Sequence, residues 1–286
     1  MVTISEKAWR TGGSKMFIEV DKQVKVEDLV RGMIVQSGND ACVALAEHIA
    51  GSEEVFSSMM NQHAQKLGMN DSNFKNATGL PAEGHLVSAF DVALLGKALI
   101  VEFPDLYHFY SEKEFTYNKI KQHNRNTLLY RDPTVDGFKT GHTEAAGYCL
   151  ATSAMRNGMR LINVVMGTES EKARADESQK LLNYGFRFFE THKLYNQGDQ
   201  RIKAEIWKGV EEDIALGLAE DLFITIPKGK YDQLDANVDL PSVITAPIQQ
   251  GTQLGTLNIL LDGQLFMQKP LVALQTAESA GWWTRS

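Results

Sequence analysis

Asn157-Gly158 lies between two apolar runs, Tyr148 to Met155 and Met159 to Met166. An Asn-Gly connection of this length favours one arrangement. The flanking runs pair as antiparallel neighbours through a tight turn whose central residues take positive φ. The chain is therefore expected to hold an antiparallel sheet, and a sheet needs a cover. Helical patterns before and after the hairpin supply one. Val26, Leu29, Val30, Met33 and Ile34 recur at helical spacing between Lys25 and Gln36. A turn is expected at Ser37-Gly38-Asn39, then a second helix from Asp40 to Ala50, stopped by Gly51. Ser52, followed by Glu53 and Glu54, starts a third helix that Gly68 stops. Ser88 and Asp91 stand at capping-box spacing ahead of a helix that Pro104 terminates. Strands are expected from Glu114 to Lys119 and from Thr134 to Thr140, and a charged helix from Glu169 to about Glu190.

After about His192 the texture changes. Short alternating runs appear, Ile202-Ala204-Ile206, Leu222 to Ile226 and Leu257-Ile259-Leu261, separated by turns such as Pro227-Lys228-Gly229 and Asp262-Gly263. This predicts an all-β module. The polar stretch Asn196-Gln197-Gly198-Asp199 reads as a linker, so the expected domains are residues 1–192 and 193–286.

Bulk composition excludes several classes of function. With 286 residues, 43% hydrophobic and 23% charged, the chain can bury a sizeable core. A net charge of −7 without a Lys/Arg run argues against nucleic-acid binding. No apolar run reaches the roughly 18 residues of a membrane span. Met1-Val2-Thr3-Ile4-Ser5 carries no signal-peptide pattern, and both ends read as cut, the C-terminal one at Trp282-Trp283. Cys42 and Cys149 lie outside any C-x-x-C and are open to two readings, a disulfide or two thiols. The seven histidines form no H-E-x-x-H, and phosphate-loop, dinucleotide and G-x-S-x-G patterns are absent. No metal or cofactor is implied.

Two short motifs carry chemistry. Lys139-Thr140-Gly141 comes late in a strand pattern. Lysine offers a point charge for a carboxylate, threonine a hydroxyl, and glycine lets a substrate backbone approach. Ser37-Gly38-Asn39 sits between two helix patterns, where a hydroxyl could relay a proton and an amide could hold a carbonyl. Either motif alone has a bland reading, as a strand end or a helix cap.

Their order and flanks add meaning. Ser-x-x-Lys, Ser-Asp-Asn and Lys-Thr-Gly together mark class A β-lactamases and penicillin-binding proteins. The stretches Ile34-Val35-Gln36-Ser37-Gly38-Asn39-Asp40-Ala41-Cys42, Asp136-Gly137-Phe138-Lys139-Thr140-Gly141-His142-Thr143 and Phe186-Arg187-Phe188-Phe189-Glu190-Thr191 resemble the low-molecular-mass penicillin-binding proteins, the serine D-alanyl-D-alanine carboxypeptidases of the S11 type. The resemblance covers nearly the whole chain. It implies an α/β (α+β) DD-peptidase/β-lactamase-like domain followed by a small all-β domain. It implies attack by a serine on the D-Ala-D-Ala carbonyl of peptidoglycan pentapeptides, an acyl-enzyme, and binding of β-lactams. Ser37, Asn39 and Lys139 would be catalytic. Lys139, Thr140, Gly141, His142, Arg125 and Arg174 would bind substrate, with a surface salt bridge as the bland reading of the two arginines. Cys42 would lie close by as packing.

The family's Ser-x-x-Lys should precede Ser37. The sequence holds that spacing once, in Ser72-Asn73-Phe74-Lys75, after Ser37 and in a polar, turn-like stretch. That occurrence is read as a decoy, and the nucleophile segment is expected before residue 1. The chain as given is expected not to acylate. The resemblance also implies a periplasmic protein, peripheral to the inner membrane through a C-terminal amphipathic helix. A class A β-lactamase and a non-catalytic peptidoglycan-binding protein are the alternatives.

Overall fold

The computed structural model describes residues 1–280. Trp282 and Trp283, at the expected cut end, lie outside the described residues. The chain divides into two compact units between Arg187 and Phe188.

The first unit opens with β1 (Val2–Thr3), α1 (Glu6–Arg10) and β2 (Gln23–Val24), and β1 pairs with β2. Helices α2 (Val26–Gln36), α3 (Asn39–Ala50), α4 (Glu53–Lys66), α5 (Ala89–Glu102) and α6 (Pro104–Tyr107) follow. Then come the hairpin β3 (Glu114–Tyr117) and β4 (Ile120–His123), the short α7 (Leu128–Arg131), and a sheet of β5 (Val135–Thr143), β6 (Gly147–Arg156) and β7 (Met159–Thr168). Helix α8 (Glu171–Phe188) closes the unit.

Local chemistry sets these boundaries. Ser52 and Ser88 cap α4 and α5, each hydroxyl accepting from a backbone N–H three residues on. Asn157 and Gly158 take φ of 50° and 78°, as the β6–β7 turn requires. A second turn of this kind went unread. Asn118 and Lys119 take φ of 48° and 63°, so the expected strand from Glu114 to Lys119 is half of the β3–β4 hairpin. Lysine in place of the usual glycine hid the turn.

The sheet packs on two sides. Leu150, Ala154 and Val135 meet Ala175 and Leu182 of α8. Phe138 and Ala151 meet Tyr107 and, from α5, Val92, Leu99 and Ile100. Gly96 lets α5 come this close, because a Cβ there would lie 2.1 Å from Phe138 Cζ. A third cluster joins Ile4, Met16, Ile18 and Val24 to Leu29 of α2 and to Ala41, Ala44 and Leu45 of α3. Leu29 and Ile4 are fully buried. Burying such a side chain contributes about 1.5–3 kcal/mol.

The second unit is all-β: β8 (Phe189–Tyr195), β9 (Gln200–Glu205), β10 (Asp213–Gly217), β11 (Leu222–Pro227), β12 (Leu234–Asp239), β13 (Gln253–Leu261) and β14 (Gln264–Ala273). Five strands form one antiparallel sheet in the order β12-β13-β14-β10-β9, and β11 pairs with β8. Leu222, Ile224 and Ile226 alternate inward along β11, onto Leu216, Ile259 and Leu271. The expected helix to Glu190 stops at Phe188, because Phe189 to Tyr195 is committed to pairing with β11. Asn196-Gln197-Gly198-Asp199, read as a linker, is the turn from β8 to β9 inside this unit, with Gly198 at φ 77°.

Candidate active site

The turn between α2 and α3 and the edge strand β5 build the site. Ser37 caps α2 in the left-handed region, at φ 59°. A non-glycine residue pays about 1–2 kcal/mol for this conformation. Gly38 follows, its N–H donating to Gly32 O at 3.1 Å, and Asn39 begins α3. Asn39 is buried, and its Nδ2 donates to Gly12 O at 2.9 Å.

Among the described residues strand β5 is an edge of its sheet, paired there with β6 alone. Lys139, Thr140, Gly141 and His142 pair with Ala151, Leu150, Cys149 and Tyr148. Lys139 Nζ donates to Ser37 Oγ, and to Thr140 O at 3.0 Å. The two motifs, 102 residues apart, therefore meet.

Burial lowers the Lys139 ammonium to about 8, from an ordinary 10.5. The charges of Arg125 and Arg174 add to the shift. Burial pushes the Cys42 thiol itself up to about 12. Cys42 is thus a protonated packing group at neutral pH. Cys42 and Cys149 are both free thiols.

Arg174, on α8, is 3% exposed. It donates to Gly141 O at 3.1 Å, lies 5.5 Å from the Tyr148 ring centroid, and is 3.6 Å from Glu171. His142 is exposed and stacks on the same Tyr148 ring, with centroids 4.0 Å apart. Arg125 is half-buried, and its guanidinium makes no hydrogen bond or ion pair with another described residue. Its loop is fixed on both sides. Asn124 Oδ1 accepts from Asn126 N at 2.9 Å, and Asn126 Oδ1 from Leu128 N at 3.2 Å. The electrostatic influence of Arg125 reaches both Lys139 and Arg174. Among the described residues Glu171 is the one acid paired with these three cations, and so many like charges with one counter-charge suit an incoming anion.

Ser72-Asn73-Phe74-Lys75 lies elsewhere in kind. Ser72 Oγ donates to the buried Asp91 carboxylate at 2.7 Å, and Asn73 bridges to Leu86 in extended form. These residues do not occupy one turn of a helix.

Residues 1–170 match the family model described as D-alanyl-D-alanine carboxypeptidase, peptidase S11. The chain belongs to this family. Its members are serine hydrolases. Residues 189–279 match the C-terminal domain of penicillin-binding protein 5. The S11 chain is 44% identical over 293 residues to the D-alanyl-D-alanine carboxypeptidase DacC of Escherichia coli, covering all of this chain and 73% of DacC. It is 45% identical over 283 residues to DacA of the same organism, covering 96% of this chain and 70% of DacA. It superposes on penicillin-binding protein 5 from Haemophilus influenzae with a TM-score of 0.90 and 44% identity, covering 98% of this chain and 83% of that structure. The helical and antiparallel first unit and the all-β second unit agree with such structures. The comparisons favour the carboxypeptidase reading over a β-lactamase.

In this S11 peptidase the structure brings Ser37, Lys139, Thr140 and Gly141 together and sets Arg174 against Gly141. Asn39 lies on the same turn as Ser37, with its amide turned to Gly12. Three residues escaped the sequence reading. Asn124 and Asn126 hold the Arg125 loop, and Asn-Arg-Asn was a usable turn signal. Asp40 reads as an ordinary first-turn acid, and only tertiary contacts show otherwise. Among the described residues no helix is long and apolar enough to cross a membrane.

Proposed function

We propose that the protein acts as a penicillin-binding serine D-Ala-D-Ala carboxypeptidase on peptidoglycan pentapeptides. The observation that carries this reading is the cationic end of β5. Lys139 is hydrogen-bonded to Ser37, and Arg125, whose charge reaches Lys139, has no hydrogen-bond or ion-pair partner among the described residues. The substrate's terminal carboxylate sits on Lys139, Thr140 and Arg125, with Arg174 holding Gly141 from behind. His142 lines the same wall. Substrate backbone runs along the free edge of β5, and Gly141 keeps that edge open.

Acylation joins a serine Oγ to the carbonyl carbon and breaks the C–N bond to the last D-alanine. Ser37 relays a proton from Lys139 to the departing amine, and Asn39 holds the substrate's carbonyl side. Water then cleaves the ester. The attacking serine is the family's Ser-x-x-Lys serine, which these 286 residues do not supply. The sequence's one such spacing, Ser72 to Lys75, is engaged with Asp91.

The same reading places the intact protein in the periplasm, peripheral to the inner membrane on a C-terminal amphipathic helix. Release of the full-length protein from membranes by alkaline carbonate tests that placement.

The carboxylate assignment has a direct test. Diacetyl-Lys-D-Ala-D-Ala is titrated against its C-terminal amide by calorimetry. The acid binds at least tenfold tighter, and Arg125→Ala erases most of that preference. Equal affinity for acid and amide removes the proposal.

A further inference from the structure

We propose that Asp40 is a positioning residue of this site. Its carboxylate fixes a strap, Gly12 to Ile18, and the strap fixes the amide of Asn39. The inference rests on reading Ser37-Gly38-Asn39 as one wall of the site.

Asp40 is 1% exposed. Among the described residues no cation pairs with it, so its charge is met by backbone N–H groups. Oδ1 accepts from Met16 at 2.8 Å and from Ala41 at 2.9 Å. Oδ2 accepts from Phe17 at 2.9 Å and from Ile18 at 3.3 Å. Donors at successive strap residues can converge only if the backbone curls, and Phe17 takes φ 69° to do so. A residue persists in this region when its surroundings over-determine it. Asp40 supplies much of that determination, with Asn118 Nδ2 on Phe17 O at 3.3 Å and Gln122 Nε2 on Lys15 O at 3.1 Å as further ties.

The strap in turn holds Asn39. Asn39 N donates to Ser14 O at 2.8 Å, and its Nδ2 to Gly12 O at 2.9 Å. A carbonyl oxygen only accepts, so the atom of Asn39 that faces it must be nitrogen. Oδ1 is thereby kept as the acceptor on the other side of the amide. Space is reserved for the clamp. A Cβ on Gly13 would lie 2.6 Å from Asn39 Nδ2, one on Gly38 2.9 Å from Asp40 Oδ1, and one on Gly32 2.2 Å from Met16 Sδ.

Asp40→Asn tests the clamp in the 286-residue chain. It keeps the shape and turns one acceptor into a donor that faces donors. The readout is hydrogen exchange of the Asn39 side-chain amide by NMR. In the wild type this amide is protected. In Asp40→Asn its exchange quickens at least tenfold, and affinity for diacetyl-Lys-D-Ala-D-Ala falls about tenfold. Asp91→Asn is the control, since Asp91 is also 1% exposed and serves the Asp71–Ser72 turn instead. If Asp91→Asn quickens Asn39 exchange as much at matched loss of stability, general loosening is the cause and the proposal fails. Unchanged Asn39 exchange in Asp40→Asn also overturns it. A freed amide with unchanged affinity supports the clamp and removes Asn39 from the substrate wall. Should Asp40→Asn not fold, the wild type decides alone. The Met16, Phe17 and Ile18 amides must exchange far more slowly than those of Gly12 and Gly13, and equal rates overturn the clamp.

Discussion

Lys139 carries the site's clearest titration. Its folded value of about 8 lies below its ordinary 10.5. Between these values the unfolded chain binds the proton that the folded chain has released. Stability therefore rises with pH across this window, and the cost of the buried charge is complete below about pH 8. Lys139→Met removes the charge. Urea midpoints from pH 7 to 10.5 are expected to show the variant gaining on the wild type at the low end, with the gap closing as pH rises. A gap independent of pH contradicts the assignment. At this scale the sequence is partly legible. Ser37 and Lys139 announce themselves by motif, because such motifs fix residue type and order. Asp40 does not, because its partners at Met16, Phe17 and Ile18 are 22 to 24 positions away and belong to no pattern.

Elements are read best where a turn residue forces the geometry. Asn157-Gly158 places β6 against β7 from sequence alone. Asn118-Lys119 makes a turn with the same signs of φ and stays hidden without glycine. The end of α8 is hidden for another reason: Leu182, Phe186 and Phe189 keep helical spacing past the point where pairing with β11 takes over. Helix α5 gives a packing prediction. A Cβ on Gly96 meets Phe138 Cζ at 2.1 Å and Cε1 at 2.2 Å, on the strand that carries Lys139. Gly96→Ala is expected to lower stability by about 1–3 kcal/mol through overpacking. Urea unfolding with an unchanged m-value checks it, and a variant as stable as the wild type argues against this contact.

Across the whole molecule, the change of texture after His192 foreshadows the all-β second unit. The family resemblance, rather than any spacing, foreshadows the first unit's relation to penicillin-binding proteins. The same scale sets an expectation about covalent chemistry. Acylation needs a serine with a lysine one helical turn away, and the chain's one candidate pair is not on a helix. Incubation of the 286-residue chain with a fluorescent penicillin is expected to leave no adduct in a denaturing gel. A stable band would instead make Ser37 or Ser72 the nucleophile.

The strap has a kinetic meaning. The wall beside α2 rests on contacts distant in sequence. Its contacts close a loop of 24 residues from Met16 to Asp40, and ring closure must precede the reward. The wall therefore assembles only when Met16, Phe17 and Ile18 meet Asp40. A partial opening that frees Gly12 to Ile18 would erase the site while the sheet and the second unit stay intact. Loss of ligand binding on warming should thus run ahead of loss of secondary structure.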